Sequence, residues 1–292
     1  MKKWIYEPFN APNVIELHMD MDRLRKVRQY FDENIRPQLE TEINREELNR
    51  RAKWGERQRP LFQPYTIGES WSQDHWYVTG TGWTSDLRWV SVNNEKTHEK
   101  FSKLFYDFGV DKAFDGTGRF IGSSPHKPLD ITKIDCKEQI NIYSVFFVVR
   151  SESHGHNWHV DWMADLPIGE SKTEKYERSV RGPGGNVNAF SLMAPIQERQ
   201  EDTIDLMYKD VDGKEQVYKY QMGRSVVFGE EFWHSTAKGK CSNYEAFLCF
   251  AFGSDKEEYQ EINLQTIGGQ AAHLMHPQMG WSKARLGANS SY

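Results

Sequence analysis

Residues 157–162 read NWHVDW, and this run places an imidazole and a carboxylate two positions apart. Successive side chains of a β-strand point to opposite faces, so we expect His159 and Asp161 on the same face. A second histidine, His234, follows shortly after the glycine-bounded apolar run GRSVVFG at 223–229. Two histidines and one carboxylate on one side of a metal ion leave the opposite positions open. The pattern therefore predicts that these three side chains bind one metal ion.

Beyond residue 139 the chain reads as a series of short strands. The predicted strands are the apolar or alternating runs at 140–149, 159–162, 186–196, 203–208 and 216–222. The sequence Asp-Val-Asp-Gly at 210–213 supplies a hairpin turn between the last two of them. Many short antiparallel strands joined by turns are typical of a sandwich or a jelly roll. The sequence therefore predicts a mainly β protein.

The N-terminal part has a different pattern. Residues 14–51 are rich in helix formers and charges, with apolar residues at three- and four-residue steps, which indicates an amphipathic helix. Pro37 is expected to interrupt it, because proline inside a helix loses a hydrogen bond and clashes with the preceding turn. A second helix is predicted at 95–108. We expect residues 1–138 to form a mostly helical buttress.

Composition limits the other possibilities. A chain of 292 residues can bury a large core in one domain, so we predict a single domain at 1–292, with a β-core at 139–254 and a C-terminal extension at 255–292. Net charge is −5 with dispersed cations, which argues against a nucleic-acid partner. No apolar run approaches the ~20 residues that cross a bilayer, and no signal peptide is evident. The three cysteines lack metal-site spacing. We expect a cytoplasmic protein without a membrane partner.

The histidine–carboxylate pair, the second histidine after a glycine-bounded strand, and a closing apolar strand at 245–252 resemble the Fe(II)/2-oxoglutarate-dependent dioxygenases. The resemblance covers residues 139–252. It implies a double-stranded β-helix of the jelly-roll, cupin-like kind, with Fe(II), 2-oxoglutarate and O₂ as cofactors. It also implies oxidation of an unactivated C–H bond in a small molecule. Hydroxylation is the expected outcome, and oxidative cyclisation or desaturation in specialised metabolism stays open.

The chain departs from this family at the cosubstrate anchor. Many members carry an arginine or lysine about ten residues after the second histidine, where it pairs with the distal carboxylate of 2-oxoglutarate. Here that position is Tyr244. Arg150, which ends the predicted strand 140–149, and Lys240 are the alternative cations, and Arg150 is favoured. Tyr143 is a further candidate for this pocket.

A long polar segment at 166–185 follows the ligand strand and carries Arg178 and Arg181. Loops of this length in compact domains are often lids or binding loops. We expect both arginines, together with Trp162, to contact an anionic substrate. No catalytic residue beyond the metal ligands is predicted.

Other classes of protein stay open. A cupin-like metal-binding or sensing protein without turnover would explain the missing cation at Tyr244. A zinc hydrolase would use similar ligands, because histidine and aspartate also bind zinc. A third possibility is that the three candidate ligands are unrelated polar residues. Retention of Asp161 argues against a halogenase of the resembled family, because those enzymes leave the carboxylate position vacant for chloride.

Overall fold

The computed structural model describes residues 9–11, 13–39, 65–68, 73–81, 85–114, 134–155, 158–162, 188–229, 232–259, 273–276 and 280–283. The helices are α1 (Met21–Asn34), α2 (Arg36–Leu39) and α3 (Glu95–Asp107), with short 3-10 turns at Asp111–Ala113 and Glu257–Tyr259. The strands are β1 (Val14–His18), β2 (Tyr65–Ile67), β3 (Trp76–Thr81), β4 (Ser85–Val92), β5 (Asn141–Ser153), β6 (Ala189–Pro195), β7 (Leu206–Lys209), β8 (Glu215–Tyr218), β9 (Arg224–Phe228), β10 (His234–Thr236), β11 (Gly239–Gly253), β12 (His273–His276) and β13 (Gly280–Lys283).

The strands form antiparallel sheets of unequal size. The large sheet has eight strands in the order β1-β9-β6-β11-β5-β4-β3-β2, and a three-stranded sheet has the order β10-β7-β8. Strands β12 and β13 form a separate hairpin. This confirms the predicted class, a mainly β double-stranded β-helix with helices near the N-terminus. The assignment of 1–292 to one domain stays a prediction.

The large sheet separates two apolar clusters. Along β5, Val145, Phe147 and Val149 pack in the cluster that contains the buried faces of α1 and α3. Phe146 and Val148 pack in the second cluster, which also contains residues of the three-stranded sheet. We call the second one the inner cluster. Because both faces of β5 are covered, its sequence is continuously apolar rather than alternating.

Helix α1 begins later than predicted. Asp20 caps it, with its carboxylate accepting hydrogen bonds from the backbone N–H groups of Asp22 and Arg23, both at 3.0 Å. The preceding residues 14–18 form strand β1, so the prediction of a helix from residue 14 was wrong there. The predicted break at Pro37 is confirmed, since α1 ends before it and α2 carries it in its first turn.

Strands β2, β3 and β4 extend the large sheet beyond β5. The prediction of a mostly helical region at 1–138 overlooked these strands. Trp76, Val78 and Val90 face the helices, while Tyr77 and Thr79 lie on the other face of the sheet and are partly exposed. The many aromatic residues of this segment obscured its alternation of buried and partly exposed side chains, which the structure shows. The predicted second helix is confirmed as α3. None of the helices in the described ranges is long and apolar enough to span a membrane.

Strand β1 forms one edge of the large sheet through its pairing with β9. Its central residue, Glu16, is fully buried. Both carboxylate oxygens accept from the guanidinium of Arg224, at 2.9 and 2.8 Å, and one also accepts from the Tyr218 hydroxyl at 2.6 Å. A buried carboxylate needs such partners, and the bidentate fork of arginine supplies them. The edge strand is therefore held by a charged contact between residues 208 positions apart.

Candidate metal centre

The backbone places the two candidate histidines side by side. His159 and His234 form an isolated antiparallel bridge in which each N–H donates to the other residue's carbonyl at 3.0 Å. His234 opens β10, which is itself paired with β7. The ring centroids of the two histidines are 4.4 Å apart. Two ligands from distant parts of the sequence are thus fixed by main-chain hydrogen bonds.

Asp161 completes the group. Its Oδ1 lies 3.4 Å from His159 Nε2 and 3.6 Å from His234 Nε2. One ligand atom from each of the three residues falls within 4.8 Å of the others. The structure therefore brings together the three residues that the sequence singled out. Their binding of a metal stays a prediction.

His234 is prepared to act as a neutral ligand. Its Nδ1 lies 3.0 Å from the carbonyl oxygen of Phe232, and because a carbonyl only accepts, Nδ1 carries the proton. The Nε2 lone pair is then directed at Asp161 and the candidate site. The rings of Phe228 and Phe232 pack on the imidazole at 4.8 and 5.3 Å. Burial, with the neighbouring His159, lowers the pKa of His234 to about 4, so the ring is uncharged at neutral pH.

Asp161 is held in its charged form. Burial alone would raise its pKa, but the hydrogen bond from His159, the electrostatic interaction with the two histidines and the hydrogen bond from Ser191 together outweigh this and lower the pKa below its usual value. Its second oxygen, Oδ2, accepts from Ser191 Oγ at 3.4 Å. Ser191 Oγ in turn accepts from Trp162 Nε1 at 3.0 Å. The carboxylate is therefore contacted by the histidines on one oxygen and supported on the other.

The site is open on one side. The His234 side chain is 8% exposed, whereas those of Asp161 and His159 are 25% and 39% exposed. Trp158, which precedes His159, lies under the Lys209 ammonium at 4.6 Å from the ring centroid. Two imidazoles and a carboxylate suit Fe(II) and also other divalent ions such as zinc. The arrangement can hold a metal from the buried side and leave positions free toward His159.

Arg150 lies inside the fold, as an anchor for the cosubstrate would. Its guanidinium carbon is 4.7 Å from the Phe247 ring centroid and 5.3 Å from that of Tyr220, both in the inner cluster. Nε donates to Glu245 Oε2 at 2.8 Å, and Nη2 donates to the carbonyl of Ile204. Nη1 makes no hydrogen bond within the described part of the chain. The positive charge is thus already paired with a buried carboxylate, while the N–H groups of Nη1 remain available.

The other cosubstrate candidates are placed differently. The Lys240 side chain is 75% exposed and lies 3.4 Å from Glu152 on the surface, so the expectation that it reaches the pocket is not supported. Tyr143 is buried in the inner cluster, where its hydroxyl donates to the Ser254 carbonyl at 2.6 Å. Tyr244 packs in the cluster next to the helices, on the opposite face of the sheet from the metal site. The next residue, Glu245, faces the inner cluster instead, and the sequence pattern did not indicate a role for it.

Of the three candidate substrate-binding residues, the structure describes only Trp162. Trp162 is 1% exposed and its only N–H is bonded to Ser191. The expectation that Trp162 contacts substrate is therefore corrected, since the structure places it behind Asp161. Arg178 and Arg181 lie outside the described residues. Ser191 was overlooked, although a hydroxyl within the apolar run of β6 is a sequence signal that can be searched for.

No family model matches the chain, and no curated protein matches it. Among solved structures it is similar to an oxidoreductase of the 2OG-Fe(II) oxygenase family from Burkholderia pseudomallei, with 10% identity over 57% of this chain and 68% of that one, at a TM-score of 0.37. It is also similar to a prolyl-4-hydroxylase from Pseudomonas putida, with 11% identity, 86% and 92% coverage and a TM-score of 0.34. A third is the viral collagen prolyl hydroxylase of Paramecium Bursaria Chlorella virus-1 in its 2OG complex, with 14% identity, 59% and 81% coverage and a TM-score of 0.34.

The chain's own architecture defines the class that it resembles. His234 opens β10 of the three-stranded antiparallel sheet, His159 is bridged to it, and Asp161 completes the compact group next to the eight-stranded sheet. This combination resembles the Fe(II)/2-oxoglutarate-dependent dioxygenase superfamily, as the sequence motif indicated.

Proposed function

We propose that this protein is an Fe(II)- and 2-oxoglutarate-dependent oxygenase that oxidises an unactivated C–H bond of a small, anionic molecule. The observation that carries the proposal is the triad itself. Its ligand atoms lie within 4.8 Å of one another, with His234 held neutral on the buried side and His159 exposed on the other. A metal ion that the protein binds from one side retains open coordination positions on the other, and a cosubstrate and O₂ require these positions.

The protein's own groups have distinct tasks in this proposal. His159, Asp161 and His234 would hold the iron, and the Asp161 carboxylate would offset part of its charge. Phe228 and Phe232 exclude water behind His234 and keep its lone pair directed at the site. When bound, iron together with 2-oxoglutarate supplies the activation of O₂ that oxidises the C–H bond. Substrate would approach from the exposed side of His159.

Arg150 is our proposed partner for the distal carboxylate of 2-oxoglutarate. Its Nη1, which makes no hydrogen bond to the described residues, supports this role, while Nε stays on Glu245. Lysine at position 150 keeps a charge beside Glu245 but loses the planar fork. Arg150→Lys should therefore weaken 2-oxoglutarate binding by about tenfold, the scale of one charge-assisted hydrogen bond. Lys240→Ala is the matched control, and a loss of affinity in that variant alone would move the anchor to the exposed start of β11.

The Arg150–Glu245 pair also favours a second candidate, a cupin-like metal-binding protein without turnover. A cation that is already neutralised offers less to a dianionic cosubstrate. One measurement separates the candidates. Anaerobic addition of Fe(II) and then 2-oxoglutarate should produce a visible charge-transfer band, and exposure to O₂ should yield succinate. A zinc hydrolase or a sensing protein would give neither.

The ligand assignment is tested in the same assay with Asp161→Ala. That variant should lose both the band and succinate formation, because the carboxylate fills one of the three protein positions. His154→Ala is the control, since His154 is exposed, carries an imidazole like two of the three ligands and lies outside the triad. Normal 2-oxoglutarate consumption by Asp161→Ala would refute the assignment.

The substrate class rests on the sequence. Two arginines, Arg178 and Arg181, follow the ligand strand in a long polar segment, which supports an anionic substrate. Replacing both should raise the KM for substrate and leave the affinity for 2-oxoglutarate unchanged. Unchanged substrate kinetics in that double variant would remove these residues from the proposal.

A further inference from the structure

We infer that Ser191 is a positioning residue that keeps Asp161 bound to the metal through one oxygen only. The inference rests on the metal centre proposed above. It concerns how many positions that centre leaves open, which the identity of the three ligands does not determine.

The direction of the Ser191 hydroxyl follows from its neighbours. The indole N–H of Trp162 can only donate, so Ser191 Oγ accepts it at 3.0 Å. The single hydroxyl proton of Ser191 is then available to Asp161 Oδ2, 3.4 Å away. Ser191 and Trp162 are both buried, and Ser191 Oγ makes no other hydrogen bond within the described ranges. The chain from Trp162 to Asp161 therefore runs in one direction.

The two oxygens of Asp161 consequently have different environments. Oδ1 is the oxygen near the Nε2 atoms of His159 and His234, at 3.4 and 3.6 Å. Oδ2 is the oxygen that Ser191 contacts. Metal-bound carboxylates bind through one oxygen or through both. A hydrogen bond to Oδ2 stabilises the one-oxygen form. In this form the metal keeps coordination positions for a bidentate 2-oxo acid and for O₂.

Ser191 is itself held rigidly. It lies on β6 directly opposite Phe228 of β9, whose ring packs on His234 at 4.8 Å. On its other side it pairs with Ala251 of β11. The hydroxyl that supports one ligand and the ring that covers another are thus fixed by the same pair of strands. Loss of the hydroxyl removes the restraint on Asp161 without disturbing the strand.

The test uses Mn(II) as the probe and counts its open positions. In Ser191→Ala, Asp161 should turn and bind through both oxygens. The water-proton relaxivity per bound Mn(II) should then fall by about a third, as one of the three open positions is taken. Affinity for 2-oxoglutarate should fall by about tenfold or more, while affinity for Mn(II) should change by less than about threefold. A loss of general stability would not produce this split.

Three further variants sharpen the test. Ser191→Thr keeps the hydroxyl and should restore relaxivity and 2-oxoglutarate binding. Trp162→Phe removes the N–H that directs the hydroxyl. It should lower relaxivity and 2-oxoglutarate affinity as Ser191→Ala does, but by a smaller amount. Ser144→Ala is the matched control, because Ser144 is a fully buried strand serine that pairs with Ala251, and its hydroxyl has no partner in the described part of the chain. It should leave both quantities unchanged.

The outcomes separate the inference from the function on which it rests. Unchanged relaxivity in Ser191→Ala overturns the inference. So does a more than tenfold loss of Mn(II) affinity with unchanged relaxivity per ion, since Ser191 would then support ligand binding in general. A wild-type protein that binds no Mn(II) overturns the proposed function and the inference together. If Ser191→Ala loses relaxivity but the wild-type protein does not bind 2-oxoglutarate, the inference is supported and only the assignment of 2-oxoglutarate as cosubstrate is refuted.

Discussion

Replacement of Arg150 by methionine should destabilise the fold by about 3 kcal/mol, because it leaves the Glu245 carboxylate buried without its cation. The two side chains are 3% and 5% exposed, and Arg150 Nε lies 2.8 Å from Glu245 Oε2. Removal of one partner from a buried pair costs about 3–5 kcal/mol. The lower end applies here because Glu245 Oε1 retains the backbone N–H of Ile204 at 2.7 Å.

The same ladder contains a matched exposed pair. Lys240 and Glu152 are directly opposite on β11 and β5, as are Glu245 and Arg150. Their charged atoms are 3.4 Å apart, but the side chains are 75% and 40% exposed. Exposed pairs of this kind contribute about 0.2–1 kcal/mol. Lys240→Met should therefore lower the free energy of unfolding by less than about 1 kcal/mol, although the pair lies in the same ladder.

Urea unfolding supplies the measurement, with the free energy of unfolding obtained by linear extrapolation for each variant. The double variant Arg150→Met/Glu245→Gln should recover much of the loss, since the glutamine keeps an acceptor for Ile204 and carries no charge. The cycle of single and double variants isolates the coupling between the two residues. Equal losses in Arg150→Met and Lys240→Met, or no recovery in the double variant, would refute the argument from burial.

Two further predictions concern the fold. Gly253→Ala should lower the free energy of unfolding by about 2 kcal/mol, because a Cβ there would lie 2.3 Å from the Asn188 carbonyl oxygen; equal urea midpoints for the two proteins would contradict this. Burial lowers the pKa of His98 to about 4 while its Nε2 donates to the Ile142 carbonyl. The unfolded chain therefore binds this proton more readily, so stability should fall by up to about 3 kcal/mol as pH drops from 6.5 to 4. In His98→Asn this part of the pH dependence should be missing, and an identical pH profile would disprove it.

The metal triad was predictable because it follows from local periodicity. His159 and Asp161 are two residues apart, and His234 follows a glycine-bounded strand. The predicted strand at 159–162 is reduced to an isolated bridge at His159, but the spacing still brings both side chains to one site. The cosubstrate side was less predictable. Counting ten residues from His234 leads to Tyr244, but the β5–β11 ladder is irregular between Lys240 and Glu245. This irregularity places Tyr244 toward the helices and Glu245 toward the inner cluster, and sequence spacing does not reveal it.

The N-terminal strand was missed for a different reason. β1 reads Val-Ile-Glu-Leu-His, in which Glu16 looks like a solvent-facing charge. It is buried because Arg224 and Tyr218 neutralise and bond it from far along the chain. Local periodicity cannot distinguish a paired buried carboxylate from an exposed one, since the partner is remote. The alternation of β3 and β4 was obscured similarly, by aromatic residues on both faces.

The pairing of β1 with β9 also sets an order for folding during synthesis. Glu16 and Arg224 are 208 positions apart. At about 5–20 residues per second, on the order of 10–40 s pass between synthesis of the two strands. Through that interval Ile15 and Leu17 have no strand to pair with, and such non-local pairing slows folding. The β1 edge therefore cannot form before β9 has left the ribosome, and until then the unpaired β1 segment is the part of the sheet to which we expect a chaperone to bind.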